Sequence, residues 1–265
     1  MPTIHVNGID LYYETQGAGE PVVLVHGLGS STRDWEPQVG ALARRYRVIT
    51  FDVRGHGRSS KPRQRYSVAL FADDTAALIR ALDLGPVHLV GISMGGMIAF
   101  QVAVTAPELV RSLVIVNSGP AMPVKTFAQR TMIWTRIAIV RLQGMRKMGA
   151  VLANRLLPKP EHAALRAQFI ESWAENDPRA YLAALKGMLN WSVMDRLKDI
   201  RCPTLILSAD QDYTPVAVKQ AYTAMIPGAA LVVIDDARHL VPIERPEPFN
   251  QALLSFLAKA AAALQ

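Results

Sequence analysis

The run Val87-His88-Leu89-Val90-Gly91-Ile92-Ser93-Met94-Gly95-Gly96-Met97-Ile98-Ala99-Phe100 decides how the rest of the chain is read. It opens as a short apolar segment that reads as a buried strand, and it closes in a helix-forming run from Met97 to Val104. Between the two stands Gly91-x-Ser93-x-Gly95. A strand that turns at once into a helix strains the backbone of the turning residue, and side chains on its neighbours would strike the adjoining elements. The Ser93 hydroxyl then stands clear of the backbone, with the free N–H groups of a helix N-terminus behind it. A nucleophilic serine is presented in this way, although a glycine-rich strand–helix turn can also be purely structural.

The surrounding chain alternates short apolar strands with helical segments. Ile4 to Val6, Asn7-Gly8 and Ile9 to Glu14 read as a hairpin, because Asn-Gly supplies the positive φ angles of a tight turn. Strands are expected at Pro21–Val25, Arg47–Phe51, Ser112–Val116, Cys202–Ser208 and Ala230–Ile234, with helices at Ser67–Leu82 and Pro246–Ala262. This alternation predicts an α/β fold with a mostly parallel sheet covered on both faces. It lapses between Pro120 and Trp191, where helices are expected at about Lys125–Met148, Glu161–Glu175 and Pro178–Leu189. We therefore expect a core formed by residues 1–119 and 192–265, with 120–191 inserted as a helical cap over the strand ends, where ligands bind in such sheets.

Acyl transfer by a serine needs a general base, a group that orients the base and donors for the developing oxyanion. His239, in a loop after the last expected strand, is the base candidate by position. The acid should follow the preceding strand, where Asp210 and Asp212 both stand; Asp212 is preferred because it lies deeper in the loop, just before the turn set by Pro215. The loop after Val116 holds Asn117 and Ser118 and no carboxylate. His26 and His56 lie in glycine-rich loops and read as structural.

The chain order Ser93, Asp212, His239 resembles that of the α/β-hydrolases. So do His26-Gly27-Leu28-Gly29, Phe51-Asp52-Val53-Arg54-Gly55-His56-Gly57-Arg58-Ser59, Ala209-Asp210-Gln211-Asp212-Tyr213-Thr214-Pro215 and Arg238-His239-Leu240-Val241-Pro242. The resemblance covers both core segments, and the elbow looks most like those of carboxylesterases and enol-lactonases. It implies a catalytic triad, an oxyanion hole made by the backbone N–H groups of Leu28 and Met94, and hydrolysis of a small or medium ester or lactone through an acyl-enzyme. C–C bond hydrolysis or perhydrolysis by the same triad, and a non-enzymatic ligand receptor on the same fold, remain as alternatives. A serine at the elbow argues against the dehalogenases and epoxide hydrolases that resemble this fold, which carry aspartate there.

Composition narrows the partners. No zinc-ligand spacing, dinucleotide fingerprint or phosphate loop is present, so neither metal nor cofactor is expected. The net charge is +7, and Ala121–Pro160 contains eight Lys or Arg with no Asp or Glu. No aromatic-basic platform accompanies this charge, so nucleic acid is not expected. A basic cap would suit a substrate with a second carboxylate, and Arg130, Arg136 and Arg141 are the candidates; a solvated basic face is the alternative. Met122, Met132, Trp134, Met145, Met148, Trp173 and Trp191 make the insertion apolar, and an apolar cap face could mediate a homodimer. Trp35, Trp134 and Val241 are the candidate pocket residues. The single Cys202 excludes an internal disulfide, and no signal peptide or membrane span is visible, so a cytoplasmic location is expected.

Overall fold

The computed structural model describes residues 2–262, leaving the last three residues of the alanine-rich tail outside them. In chain order the strands are β1 (Thr3–Val6), β2 (Ile9–Gln16), β3 (Pro21–Val25), β4 (Arg47–Phe51), β5 (Val87–Ile92), β6 (Val110–Val116), β7 (Thr204–Ala209) and β8 (Ala230–Ile234). They form one sheet in the order β1-β2-β4-β3-β5-β6-β7-β8. The β1–β2 and β2–β4 pairings are antiparallel, and the remaining pairings are parallel. The hairpin turns through Asn7 and Gly8, both at positive φ (49° and 73°), as its sequence requires.

The inner strands are mostly apolar because both sheet faces are covered. In β3, Val23 and Val25 face a core shared with α2 (Val68–Ala81) and α3 (Met94–Thr105), whereas Val22 and Leu24 face one shared with α1 (Glu36–Leu42) and α9 (Pro246–Ala262). Phe71, Leu78 and Phe100 fill the first layer, and Leu42, Phe249, Leu253 and Leu257 fill the second, all fully buried. Truncating any of these large side chains to alanine removes roughly 2–5 kcal/mol of stability by the usual cavity cost. At β3 the chain reverses its direction of travel across the sheet, with β4 on one side and β5 on the other. The crevice beyond the carboxyl ends of β3 and β5 is therefore the place for a ligand.

Between β6 and β7 the chain runs through α4 (Phe127–Leu156), α5 (Ala163–Ala174) and α6 (Pro178–Met188); after β7 come α7 (Val216–Thr223) and, past β8, the single turn α8 (Val241–Glu244). Helix α4 continues eight residues beyond the expected Met148, with a break at Gly144 (φ 80°) that only glycine adopts without strain. It starts at a capping box, where Thr126 and Gln129 satisfy each other's backbone N–H groups. Ile133, Ile137 and Val140 form the inward stripe of α4 and pack with Phe169 and Trp173 of α5 and Tyr181 and Leu185 of α6. Among the described residues no helix is long and apolar enough to cross a membrane.

Candidate active site

Ser93 sits between β5 and α3 with φ 54° and ψ −117°, a strained conformation that costs about 1–3 kcal/mol for a residue with a Cβ. The surroundings over-determine it. Its N–H donates to Val116 O (3.0 Å), and its own carbonyl accepts from Ser118 Oγ (2.6 Å) and the Met97 N–H (3.1 Å). The glycines around it are compelled by close approach. A Cβ on Gly95 would strike the Val25 carbonyl of the neighbouring strand, and one on Gly91 would strike the Gly95 carbonyl.

His239 follows β8, and Asp212 follows β7. Their side chains meet, with His239 Nδ1–H donating to Asp212 Oδ1 at 2.7 Å. Asp210 does not reach the histidine; its carboxylate accepts the Ala237 N–H (2.9 Å) and so ties the acid loop to the histidine loop. Asn117, which holds the position after β6, binds both loops at once. Its amide donates to the carbonyls of Arg238 (3.1 Å) and His239 (3.0 Å), and its Oδ1 accepts from the Ala209 N–H (2.9 Å).

Two residues that the sequence reading passed over touch this pair. Lys219 of α7 is fully buried, and its ammonium donates to Asp212 Oδ2 (2.6 Å), Asn117 Oδ1 (2.8 Å) and Ser208 Oγ (3.0 Å). Burial pushes the Asp212 carboxyl up, but the hydrogen bond from His239 and the charge of Lys219 outweigh it, and the net displacement is downward. Burial works against Lys219 as well and lowers its pKa, with the Asp212 charge opposing that shift. Asp212 thus carries a fixed negative charge with a fixed cation on its far oxygen.

Tyr213 is the other. Its ring stacks on His239 (centroids 4.1 Å apart), its hydroxyl lies 2.6 Å from His239 Nε2, and the same hydroxyl is within hydrogen-bonding reach of Ser93. With Nδ1–H committed to Asp212, Nε2 is the acceptor of this bond. The phenol thus holds the nitrogen that a serine nucleophile would need. Tyr213→Phe keeps the ring stack and removes the competing donor. A neutral hydrogen bond is worth about 1 kcal/mol, so Ser93 in this variant should react with a fluorophosphonate about fivefold faster than in the wild type. Slower reaction, measured by intact-protein mass spectrometry, would instead make the phenol a proton relay.

The loop after β3 approaches from the other side. A Cβ on Gly27 would lie 3.5 Å from Ser93 Cβ, so the backbone of this loop runs directly against the serine. His26 straps it down, with Nε2 accepting the Val53 N–H (2.9 Å) and Nδ1 donating to Gly27 O (2.7 Å); burial pushes its pKa down to about 4, so the ring is neutral. Asp52 Oδ1 accepts the Thr32 N–H (2.8 Å) and binds the loop after β3 to that after β4. Among the described residues neither the Leu28 N–H nor the Met94 N–H, the first of α3, has a protein acceptor.

These residues open on a cavity of about 880 Å³ between the strand ends and α4–α6. Leu28, Ser93, His239 and Tyr213 line it, together with Trp35, Met132, Trp173 and Trp191. Two expectations for the pocket fail. Trp134 stands one position beyond the inward stripe of α4, is 67 % exposed and does not reach the cavity. Val241 is fully buried against the Phe249 layer, and its neighbours Leu240 and Pro242 line the cavity in its place. Met145 and Met148 are packing residues between α4 and α5. Arg130 also lies off the cavity, and Arg141 lines a separate shallow groove beside Arg65 and Arg179. Among the described residues no group of three or more His, Cys, Asp or Glu is placed to hold a metal ion.

Comparison with known proteins agrees with this architecture. The chain is 33% identical over 259 residues to (E)-2-((N-methylformamido)methylene)succinate hydrolase of Acinetobacter baylyi, covering 95% of each. A thermophilic esterase from Thermogutta terrifontis, studied with malate bound, superposes with a TM-score of 0.88 at 30% identity, over 97% of both chains. The enol-lactonase of Burkholderia xenovorans LB400 superposes with a TM-score of 0.90 over 97% of this chain and 100% of that one; at 24% identity this likeness concerns the fold. The profile of the alpha/beta hydrolase family matches residues 22–252, so the chain belongs to the α/β-hydrolase family.

Proposed function

We propose that this protein hydrolyses carboxylic esters or lactones through an acyl-serine intermediate, with Ser93 as nucleophile, His239 as general base, Asp212 as its orienting acid, and residues 120–191 acting as the cap. The observation that carries this reading is the 2.7 Å bond from His239 to Asp212, with the other ring nitrogen facing the cavity beside a strained serine. The likeness to the Thermogutta esterase supports it.

In this mechanism Tyr213 first turns away from Nε2. Ser93 Oγ then attacks the acyl carbon as Nε2 takes its proton, and the imidazolium is stabilised by Asp212 across Nδ1–H. The carbonyl oxygen becomes an oxyanion facing the amides of Leu28 and Met94, whose lack of a protein acceptor suits that role. Collapse breaks the acyl–oxygen bond, and the proton on Nε2 passes to the departing alkoxide. Water then loses a proton to Nε2 and attacks the acyl-serine; Ser93 leaves and recovers that proton, releasing the acid.

The test is exposure to a fluorophosphonate followed by peptide mass spectrometry. One adduct on Ser93 in the wild type and none in Ser93→Ala is the expected result, together with turnover of a short ester or lactone. A folded wild type that takes no adduct and turns over neither substrate would overturn the reading.

A further inference from the structure

Phenols aside, five side chains that line the cavity bear or can acquire a charge: Asp34, Lys125, Arg136, Arg155 and His239. Asp34 lies in the loop after β3, and its carboxylate accepts from Ser30 Oγ. Burial raises it to about 6. The other wall of the cavity belongs to the inserted helices and is cationic. Several basic side chains of this insertion are matched elsewhere, Arg146 with Glu171 and Lys159 with Asp236. Among the described residues, Lys125, Arg136 and Arg155 have no carboxylate partner.

Arg136 is the best placed of the three. It follows Ile133 by three residues and precedes Val140 by four, so it shares the inward face of α4 with the buried stripe, and it is half-buried. Its orientation is fixed from three sides. Nε donates to the Tyr181 hydroxyl, and the guanidinium lies over the rings of Tyr181 (5.3 Å) and Trp173 (5.9 Å). Nη1 and Nη2 have no acceptor among the described residues and are not sealed off, which leaves an open two-pronged donor on a residue that lines the cavity. A guanidinium held against aromatic rings loses hydration, and a planar anion arriving on its fork restores the lost hydrogen bonds bidentately.

The same indole gives the reach. Trp173 packs so closely on the loop after β3 that a Cβ on Gly29 would lie 2.8 Å from its ring. Arg136 is therefore about one indole width from the loop that faces Ser93. Arg155, whose guanidinium lies 5.9 Å from the centre of the Tyr213 ring, adds a second cation beside the serine and histidine. The charges of Arg136 and Arg155 both favour the ionised form of the Tyr213 phenol, so their field reaches the atoms around Nε2.

We infer that Arg136, assisted by Arg155, binds a second carboxylate on the substrate, so that the preferred substrates are half-esters of dicarboxylic acids or lactones that bear a free carboxylate. This inference rests on the ester-hydrolase reading and narrows it to a substrate class. Arg136 is a binding residue in it and takes no part in bond making.

The experiment compares monoethyl adipate with ethyl hexanoate, which share a leaving group and a chain length and differ in a terminal carboxylate, by titrating the acid released at constant pH. The readout is the ratio of their kcat/KM values. Arg136→Gln should lower this ratio by about tenfold or more, since an ionic hydrogen-bonded contact is lost. Arg136→Lys should restore part of it, Arg155→Gln should lower it less, and Arg141→Gln, which removes the same charge from the separate groove, should leave it at the wild-type value. A ratio within twofold of wild type in both Arg136→Gln and Arg155→Gln overturns the inference while leaving the ester-hydrolase reading intact. An equal fall in Arg141→Gln also overturns it, because net charge and not the site would then set the preference. If the wild type hydrolyses neither ester and Ser93 takes no fluorophosphonate, the underlying reading fails and this inference with it.

Discussion

His239→Ala should lower kcat/KM for ethyl hexanoate by about 10⁴- to 10⁶-fold and abolish fluorophosphonate labelling of Ser93 within the time that labels the wild type completely. The size follows from the geometry. Ser93 Oγ is a poor nucleophile until a base takes its proton, and His239 Nε2 is the cavity-facing nitrogen within reach of the same phenol that touches Ser93. None of the other five histidines lines the cavity. His26 is neutral and strapped between Val53 and Gly27, and burial pushes His56 down to about 3. His88 bonds to Ser112 and Glu20, well inside the sheet. Removing His239 therefore leaves no substitute base. Asp210→Ala is the informative companion, because it breaks a backbone bond to Ala237 and leaves the His239–Asp212 contact in place. It should label at nearly the wild-type rate; loss of labelling there, or retention in His239→Ala, would remove His239 and Asp212 from their proposed roles.

The parts of this arrangement that were legible in the sequence are those that local chemistry dictates. Gly91 and Gly95 are demanded by backbone contacts on either side of Ser93, and Gly96 by the Ser118 side chain, so the pattern itself announces the turn. Apolar runs such as Val22–Val25 and Leu113–Val116 can only be strands covered on both faces. Residues that act through tertiary contact were not legible. Lys219 sits in an eight-residue helix whose amphipathic pattern gives no sign that its ammonium would turn inward, and only the fold brings β6, β7 and α7 together around it. Tyr213 looks like any loop aromatic, and the residue is indeed half exposed; only the fold lays its ring on His239 and its hydroxyl on Nε2. Trp134 is the opposite error, a large apolar side chain expected inside because of its chemistry alone. The spacing of Ile133, Ile137 and Val140 already assigns the inward face of α4, and by that rule Trp134 belongs outside and Arg136 inside.

Lys219→Met should be the most damaging substitution to stability near the site. A buried carboxylate that loses its buried cation costs about 3–5 kcal/mol, which in a chain of this size lowers Tm by about 10 °C. Adding Asp212→Leu to Lys219→Met should recover much of that stability but abolish activity, because the uncompensated charge is then gone, well-packed apolar groups replace the pair, and His239 has lost its acid. If the single variant melts within about 2 °C of wild type, the buried pair is not an ion pair of this strength. A second readout separates positioning from mere packing. In the wild type Lys219 shares the negative charge of Asp212 with His239, the cation on Oδ2 and the imidazole on Oδ1. Without Lys219 the Asp212 carboxyl loses a charge and a hydrogen bond that hold it down, so it takes up a proton at higher pH and stops orienting the imidazole there. At a temperature where the variant is folded, the acid limb of its pH–rate profile should therefore move upward, and Lys219→Arg, which keeps the charge, should move it less. The sign is what discriminates, since a loosened but electrostatically neutral site would lose rate at every pH without displacing the limb.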